Sequence, residues 1–289
     1  MVVEFSFTWA QQYVNFGEIN YKNYMKYVMA RYSAYNVFFS IIGEYEEVEN
    51  VTVIRRLGQY SETINPYNHP VTTHCVGTTA DDFGNESWIS HHSQTGKGSP
   101  LTQLNSNIII DRAYGKPVVQ TEVCYETQMG EFGCVDPFEY RKAGWSCIVG
   151  GGYYIYGHNS LINVVTNWNS LYSQGAKEMG YLRTFWDKTE FWKMSPKNNL
   201  STNGYLLGTN VLGKEYVIYL PNGGSTTIDL SSLPGTLNVE WYNPRTGIYQ
   251  GKTTTQGGTS KSFTAPDSND WVLHIYCQTP LCDFTITIT

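Results

Sequence analysis

Lys116-Pro117-Val118-Val119-Gln120-Thr121-Glu122-Val123-Cys124-Tyr125-Glu126 is the stretch on which the reading of this chain turns. Pro117 follows a Gly-Lys turn, and the β-branched residues after it suit a strand buried on both faces. The apolar run stops at a carboxylate, which puts Glu122 at the C-terminal end of that strand. In parallel α/β architectures catalytic groups gather at this edge, because the loops there are free to vary while the strands hold position. Tyr35-Asn36-Val37-Phe38-Phe39-Ser40-Ile41-Ile42-Gly43-Glu44 has the same design, an apolar run ending in Gly-Glu. Two strand-terminal glutamates suggest a carboxylate pair.

At 289 residues the chain is long enough for an α/β barrel of ordinary size, or for a large domain and a small one. Charged residues make up only 15% and aromatics also 15%, with 23 Tyr and 8 Trp, a balance that suits stacking on ring-shaped ligands such as sugars. The alternative is that Tyr replaces Phe in a large core. A net charge of -6 without a Lys/Arg cluster argues against a nucleic-acid partner. No apolar run reaches the length of a membrane span, and Met1-Val2-Val3-Glu4-Phe5 does not open an export signal. Six cysteines, the sequons at Asn50, Asn85 and Asn199 and the scarcity of Lys nonetheless fit an extracellular or cell-surface protein. Cys124 with Cys134, or Cys277 with Cys282, can form a disulfide, but six cysteines allow fifteen full pairings and the connectivity stays open. No CxxC spacing is present, so neither a metal nor a cofactor is expected.

In chain order, strands are expected near residues 2–9, 36–42, 70–76, 88–93, 117–122 and 153–157, with helices between most of them, one over Tyr21 to Tyr32. Glu44, Glu46, Glu47 and Glu49 form an acidic run. Glu47 and Glu49 read as a solvated helix start, whereas Glu44 directly follows Gly43 at a strand end and can point into a cleft. His74, His92 and Gln94 fall near strand ends, where each can hydrogen-bond a ligand. His91 and His92 point to opposite faces of a strand and cannot easily share one ion. Six strands fall short of the eight of a closed (β/α)8 barrel, so the fold class is α/β, a TIM-type barrel that is incomplete. Exposed sheet edges are costly, which leaves a piece of a longer chain, a second copy that completes the sheet, or an unusual shortened barrel; the first is favoured as the origin and the second, a homo-oligomer, as the way the sheet survives in solution. From about residue 200, short alternating strands at Glu215 to Leu220, Ser225 to Leu230, Thr236 to Tyr242, Lys261 to Ala265 and Trp271 to Cys277 predict an antiparallel β-sandwich. The division is thus a barrel domain over 1–199 and a β domain over 200–289. Residues 160–199 are expected to be helices that lead from one to the other.

Asn36 to Glu44 with Tyr45-Glu46, then Lys116 to Glu122 with Tyr125-Glu126, then Arg141-Lys142-Ala143-Gly144-Trp145 and Tyr156-Gly157-His158, together resemble the apiosidase-like glycoside hydrolases. Tyr216 to Gly223 and Trp241-Tyr242-Asn243-Pro244-Arg245-Thr246-Gly247 are similar to the small β domain that follows that barrel and carries a collagen-binding label. The resemblance implies a (β/α)8 catalytic domain of the retaining clan, with the acid/base after strand four and the nucleophile after strand seven. Glu44 matches the first position, where aspartate is frequent in related sequences, and Glu122 the second. Val2 to Trp9 then resembles strand three, and strands one and two have no counterpart.

On this reading the pair cleaves a glycosidic bond: one carboxyl donates a proton to the leaving oxygen and the other forms a covalent intermediate, at a separation of about 5–5.5 Å. Glu44 is expected to stay protonated through apolar surroundings and the charge of Glu122. Tyr125, Tyr156, His92, Gln94 and His158 are expected to orient sugar hydroxyls. Trp9 or Trp88 can stack on a ring. Glu126 is placed with the substrate-binding set, and with Glu46 it is the substitute carboxylate. The substrate implied is a plant or microbial polysaccharide or oligosaccharide, with a β-glucan such as cellulose as one candidate. The rival class is a non-catalytic carbohydrate-binding or surface-adhesion protein built on an incomplete barrel.

Overall fold

A computed structural model describes residues 2–48, 50–95, 101–127, 133–134, 136–161, 168–210 and 214–277. The chain forms two compact units. One comprises residues 1–99, 110–123 and 152–155, and the other residues 100–109, 124–151 and 156–289. Each is described by itself.

The first unit opens with β1 (Val3–Ser6), α1 (Ala10–Phe16), α2 (Glu18–Tyr32), β2 (Val37–Ser40), α3 (Val51–Ile64) and β3 (Val71–Thr72). The three strands run parallel in the order β1-β2-β3. Phe5, Phe7 and Phe39 lie on one face, where Phe7 stacks on Phe39 at 5.5 Å, Phe5 on Tyr32 at 5.1 Å, and α2 covers them. Tyr21, Met25, Val28 and Met29 recur at three- and four-residue spacing and give α2 its buried stripe. Tyr21 donates to Ile41 O at 2.6 Å and Tyr24 to Phe7 O at 3.1 Å, so these tyrosines pack as phenylalanines do while satisfying strand-end carbonyls. Asn50 caps α3 by accepting from Thr52 N.

The chain continues through α4 (Thr79–Phe83), β4 (His92–Thr95), α5 (Leu104–Arg112) and β5 (Val118–Glu122). The first part of α5 already belongs to the second unit, which the chain enters again with β6 (Tyr125–Glu126), β7 (Gly133–Cys134) and α6 (Pro137–Val149) before returning with β8 (Tyr153–Tyr154). β4, β5 and β8 form a second parallel sheet in that order. Ser90 N donates to Val71 O at 2.8 Å and Thr72 Oγ1 to His91 O at 2.9 Å, which sets β4 beside β3. Six parallel strands therefore follow one another in chain order, the α/β pattern of an incomplete TIM-type barrel. β4 differs from expectation. Trp88 and Ile89 lie in the turn before the strand, and the polar run His92-Ser93-Gln94-Thr95 forms the strand itself because neighbours satisfy its buried side chains.

The second unit holds α6, α7 (Gln174–Trp186) and an antiparallel sheet. Its strands are β9 (Met194–Pro196), β10 (Tyr205–Thr209), β11 (Glu215–Leu220), β12 (Ser225–Ile228), β13 (Thr236–Asn243), β14 (Ile248–Gln256), β15 (Lys261–Thr264) and β16 (Trp271–Cys277). The larger sheet has the order β14-β13-β16-β11-β10-β9, and β12 pairs with β15. One apolar cluster gathers Leu206, Ile218, Leu220, Ile228, Leu237 and Leu273, and a second unites Trp145 of α6 and Phe185 of α7 with Leu207, Val217, Tyr219 and Val272. The helices thus share a core with the sheet. Arg141 of α6, itself buried, binds Asp270 through Nε at 2.7 Å and Nη2 at 2.9 Å, and Glu178 of α7 through Nη1 at 2.6 Å.

Cys75 and Cys147 are free and buried, and Cys124 and Cys277 are disulfide-bonded. Cys282 and the Cys134 side chain, the partners considered from sequence, lie outside what the structure describes, as does Glu49. Among the described residues no helix is long and apolar enough to cross a membrane.

Candidate active site

In the first unit, three strand ends converge. Beyond β1, Trp9 pairs with Gly43, with Gly43 N donating to Thr8 O at 2.8 Å and Ala10 N to Gly43 O at 3.0 Å. A Cβ on residue 43 would lie 1.9 Å from Trp9 Cε3, so the indole can rest there only over glycine. Glu44 follows with φ of 49°, a left-handed conformation that is uncommon for a residue bearing a side chain and belongs to the sharp turn at the strand end. Beyond β3, His74 donates its N–H to Ile42 O at 3.0 Å and accepts from Tyr45 N at 3.3 Å. Trp9, 49% exposed, meets the His74 ring edge to face at 5.5 Å.

Glu122 ends β5, and His74 Nε2 lies 3.2 Å from its Oε2. His74 Nδ1 lies 3.3 Å from Thr121 Oγ1. Adjacent residues on a regular strand point to opposite faces. Here the register against β4 slips between Gln94 and Thr95, and this bulge lets Thr121 and Glu122 both address one imidazole. Thr121 Oγ1 also donates to Gln94 O at 3.1 Å and lies 3.0 Å from Ser93 Oγ, so its position is fixed from three sides. Glu46 accepts from Val76 N at 2.8 Å. Burial pushes the carboxyls of Glu46 and Glu4 up, while the charge of His74 pulls each back.

Glu4 escaped the sequence reading. The signal was present, since Glu4 and Ser6 alternate with Phe5 and Phe7, and the phenylalanines face α2. His74 was recognised only as one of three strand-end polar residues. Its contact with Glu122 spans 48 positions in sequence, which no local pattern encodes.

His92, Gln94 and Trp88 do not join this group. His92, 0% exposed, sits with Nδ1 3.3 Å from Thr79 Oγ1 and its ring 5.6 Å from Tyr114. Burial, with Lys116 nearby, lowers its pKa to about 4, so the ring is neutral at ordinary pH. Gln94 donates to Asp111 Oδ2 at 2.7 Å and accepts from Gln120 Nε2 at 3.3 Å. Two residues apart, His92 and Gln94 share the face turned to α4 and α5. Trp88, 2% exposed, packs against Phe83 at 5.2 Å and over Gly58, leaving no free ring face.

The remaining expected residues belong to the second unit. Glu126, 4% exposed, accepts from the Tyr156 hydroxyl, from Ser173 Oγ at 2.7 Å and from Gly175 N at 3.1 Å. Ser173 is the N-cap of α7, so this carboxylate fastens β6 to a helix N-terminus. Burial and the Glu126 carboxylate push the Tyr156 phenol up. His158 pairs with Glu126 through the backbone, and its Nδ1 accepts from Ser160 N at 3.1 Å. The Tyr125 ring lies over Gly157, where a Cβ would come within 2.7 Å of it.

Chemically, the first-unit group offers two strand-end glutamates, an imidazole bonded to one of them and an open indole face. Among the described residues no cluster of three or more His, Cys, Asp or Glu is arranged to hold a metal ion.

Comparison with known proteins bears on the family and the fold. Among curated proteins none matches the chain. A solved structure described as a glycoside hydrolase aligns with 96% of this chain and 74% of that one, at 18% identity and a TM-score of 0.80. A family 5 glycoside hydrolase from Bacteroides vulgatus ATCC 8482 aligns with 96% of this chain and 71% of its own, at 17% identity and a TM-score of 0.79. A family 30 subfamily 8 xylanase, Xyn30A, from Clostridium acetobutylicum covers 90% of this chain and 72% of its own, at 13% identity and a TM-score of 0.60. Residues 198–275 match the family described as "Putative collagen-binding domain of a collagenase". Residues 2–193 match "Apiosidase-like, catalytic domain". The chain belongs to the apiosidase-like family, and its fold is that of the glycoside hydrolases.

Proposed function

We propose that this chain is a retaining glycoside hydrolase of plant or microbial polysaccharides, with β-glucans such as cellulose as the first class to test. Glu122 is the nucleophile and Glu44 the acid/base. The observation that carries the reading is the convergence of the Glu44 turn, Trp9 and Glu122 on His74 at one edge of the parallel strands. In the first step Glu44 gives its proton to the leaving oxygen while a Glu122 oxygen bonds the anomeric carbon. In the second, Glu44 takes a proton from water, and the hydroxide displaces Glu122 with a second inversion, so the configuration is retained. Trp9 offers the face on which a sugar ring stacks.

The test is reducing-sugar release from a panel of β-glucan, xylan, arabinan and pectic polymers, comparing wild type with Glu122→Gln. Release lost in the variant supports the assignment. Folded wild type inert on every polymer, yet retaining oligosaccharides, would establish the non-catalytic binding reading instead.

The same reading places catalysis in residues 1–199 and a supporting role in 200–289. It places the chain outside the cell or at its surface, in keeping with its disulfide-bonded cysteines. It also has a second copy pairing along β1, which lies at the edge of its sheet with Val3 exposed. Light scattering that finds only monomer at micromolar concentration removes the last of these.

A further inference from the structure

We infer that His74 is the positioning residue that sets the orientation and charge of Glu122, an assignment that rests on the nucleophile reading above. The hydrogen-bond geometry dictates how protons are placed. Gln94 O is a carbonyl and can only accept, so its 3.1 Å contact with Thr121 Oγ1 takes the single hydroxyl hydrogen. Toward His74 Nδ1, 3.3 Å away, Thr121 therefore presents a lone pair, and Nδ1 carries the proton between them. With Nδ1 protonated, Nε2 can bond Glu122 Oε2 at 3.2 Å only if one further proton sits between the two. When that proton lies on the imidazole, Glu122 is a carboxylate. Its Oε2 is then tied to the ring N–H, and this bond orients the carboxylate for attack.

The surroundings hold the ring for this task. Trp9 packs against it edge to face, its backbone is bonded on both sides to the turn that carries Glu44, and Glu4 and Glu46 both feel its charge. In glycosyl-enzyme formation, Glu44 delivers its proton to the leaving oxygen, the anomeric carbon–oxygen bond breaks, and a bond forms between a Glu122 oxygen and that carbon. The proton between Nε2 and Oε2 stays in place. When water then releases the sugar, the same proton meets the returning carboxylate charge, so His74 assists departure of Glu122 as well as its aim.

The experiment uses the full chain and the polymer of the panel that it cuts fastest. His74→Ala should lower kcat about a hundredfold while KM stays within about threefold, because the imidazole acts through Glu122 and not on the sugar. His74→Gln, whose amide nitrogen reaches the position of Nε2 as a donor, should recover at least tenfold over His74→Ala. Should His74→Ala fail to fold, Thr121→Val, which removes the oxygen facing Nδ1 with little change of shape, should still lower kcat severalfold at unchanged KM. Glu122→Gln inactive, with His74→Ala and Thr121→Val both as fast as wild type, overturns the role of His74 and leaves the nucleophile reading standing. Glu122→Gln as active as wild type overturns that reading itself. A rise in KM with kcat unchanged would make His74 a substrate contact and also overturn the inference.

Discussion

Glu122 and Glu126 stand four residues apart, each at the end of a short strand, and in sequence they look interchangeable. Their environments are opposite. Glu122 keeps some access to solvent, and the His74 imidazole bonded to it can itself gain or lose a proton. Glu126 is buried and saturated by donors that stay neutral, namely a phenol, a hydroxyl and a helix N-terminal amide. A carboxylate engaged by three fixed donors is anchored and cannot move toward a substrate. A carboxylate at an open strand end with a protonatable neighbour can. The difference separates a reacting group from a fastening one, and it depends on partners rather than on residue type.

Substitution can break this distinction. The largest effect is expected for Glu122→Gln, which should lower turnover about a thousandfold or more while changing stability by about 1 kcal/mol or less. Glu126→Gln should do the reverse. It replaces an acceptor-only group by one that turns a donor toward either Ser173 or Gly175, so it should cost roughly 1–3 kcal/mol and several degrees of Tm, with turnover per folded molecule unchanged. Paired melting curves and rate measurements on the two variants decide the matter. Equal loss of activity in both would erase the distinction.

Gly43→Ala sharpens it from the side of the substrate. The new methyl would collide with the Trp9 ring, so the indole must shift, and KM should rise several-fold with a stability cost of about 1–2 kcal/mol. The smallest effect concerns the histidines, where His92 stands to His74 as Glu126 does to Glu122. His92 titrates near 4 in the folded chain against an ordinary 6.5, so between those values the unfolded chain binds a proton that the folded one refuses. Stability therefore falls as pH drops through that window. In His92→Gln the decline in Tm from pH 7 to pH 4 should be a few degrees shallower than in wild type, which a series of melting curves will show.

How far the sequence reveals this depends on the range of each interaction. Glu215–Leu220 and Trp271–Cys277 are legible because a strand buried on both faces is largely apolar along its length, and Val118–Glu122 because its β-branched residues directly follow a Gly-Lys-Pro turn. Ile248–Gln256 is not, since Gln-Gly-Lys-Thr-Thr-Thr carries no apolar period and becomes a strand only by pairing with β13. β4 misleads for the opposite reason. Its apolar neighbours Trp88 and Ile89 are core residues in a turn, while its own polar side chains are buried and bonded. The two catalytic candidates follow from strand-end position alone, and so does Trp9. The bulge that brings Thr121 and Glu122 to one ring, and the burial that takes His92, Gln94 and Trp88 away from it, arise from contacts across many residues. They become visible only once the sheet register is known.

The buried Arg141 bears on how the chain comes into being. Its guanidinium reaches Glu178, 37 positions on, and Asp270, 129 positions on. Removing the partners of a buried charge costs roughly 3–5 kcal/mol. A chain stopped near residue 199 would leave Arg141 without Asp270 and strip Trp145 and Phe185 of the sheet that covers them. During synthesis, which proceeds from the N-terminus, α6 emerges long before Asp270, which lies just ahead of β16. The second unit can therefore lock only after Asp270 has left the ribosome. Its β domain acts as the closing clasp of folding, and a premature stop within it should yield a substrate for proteases rather than a smaller enzyme.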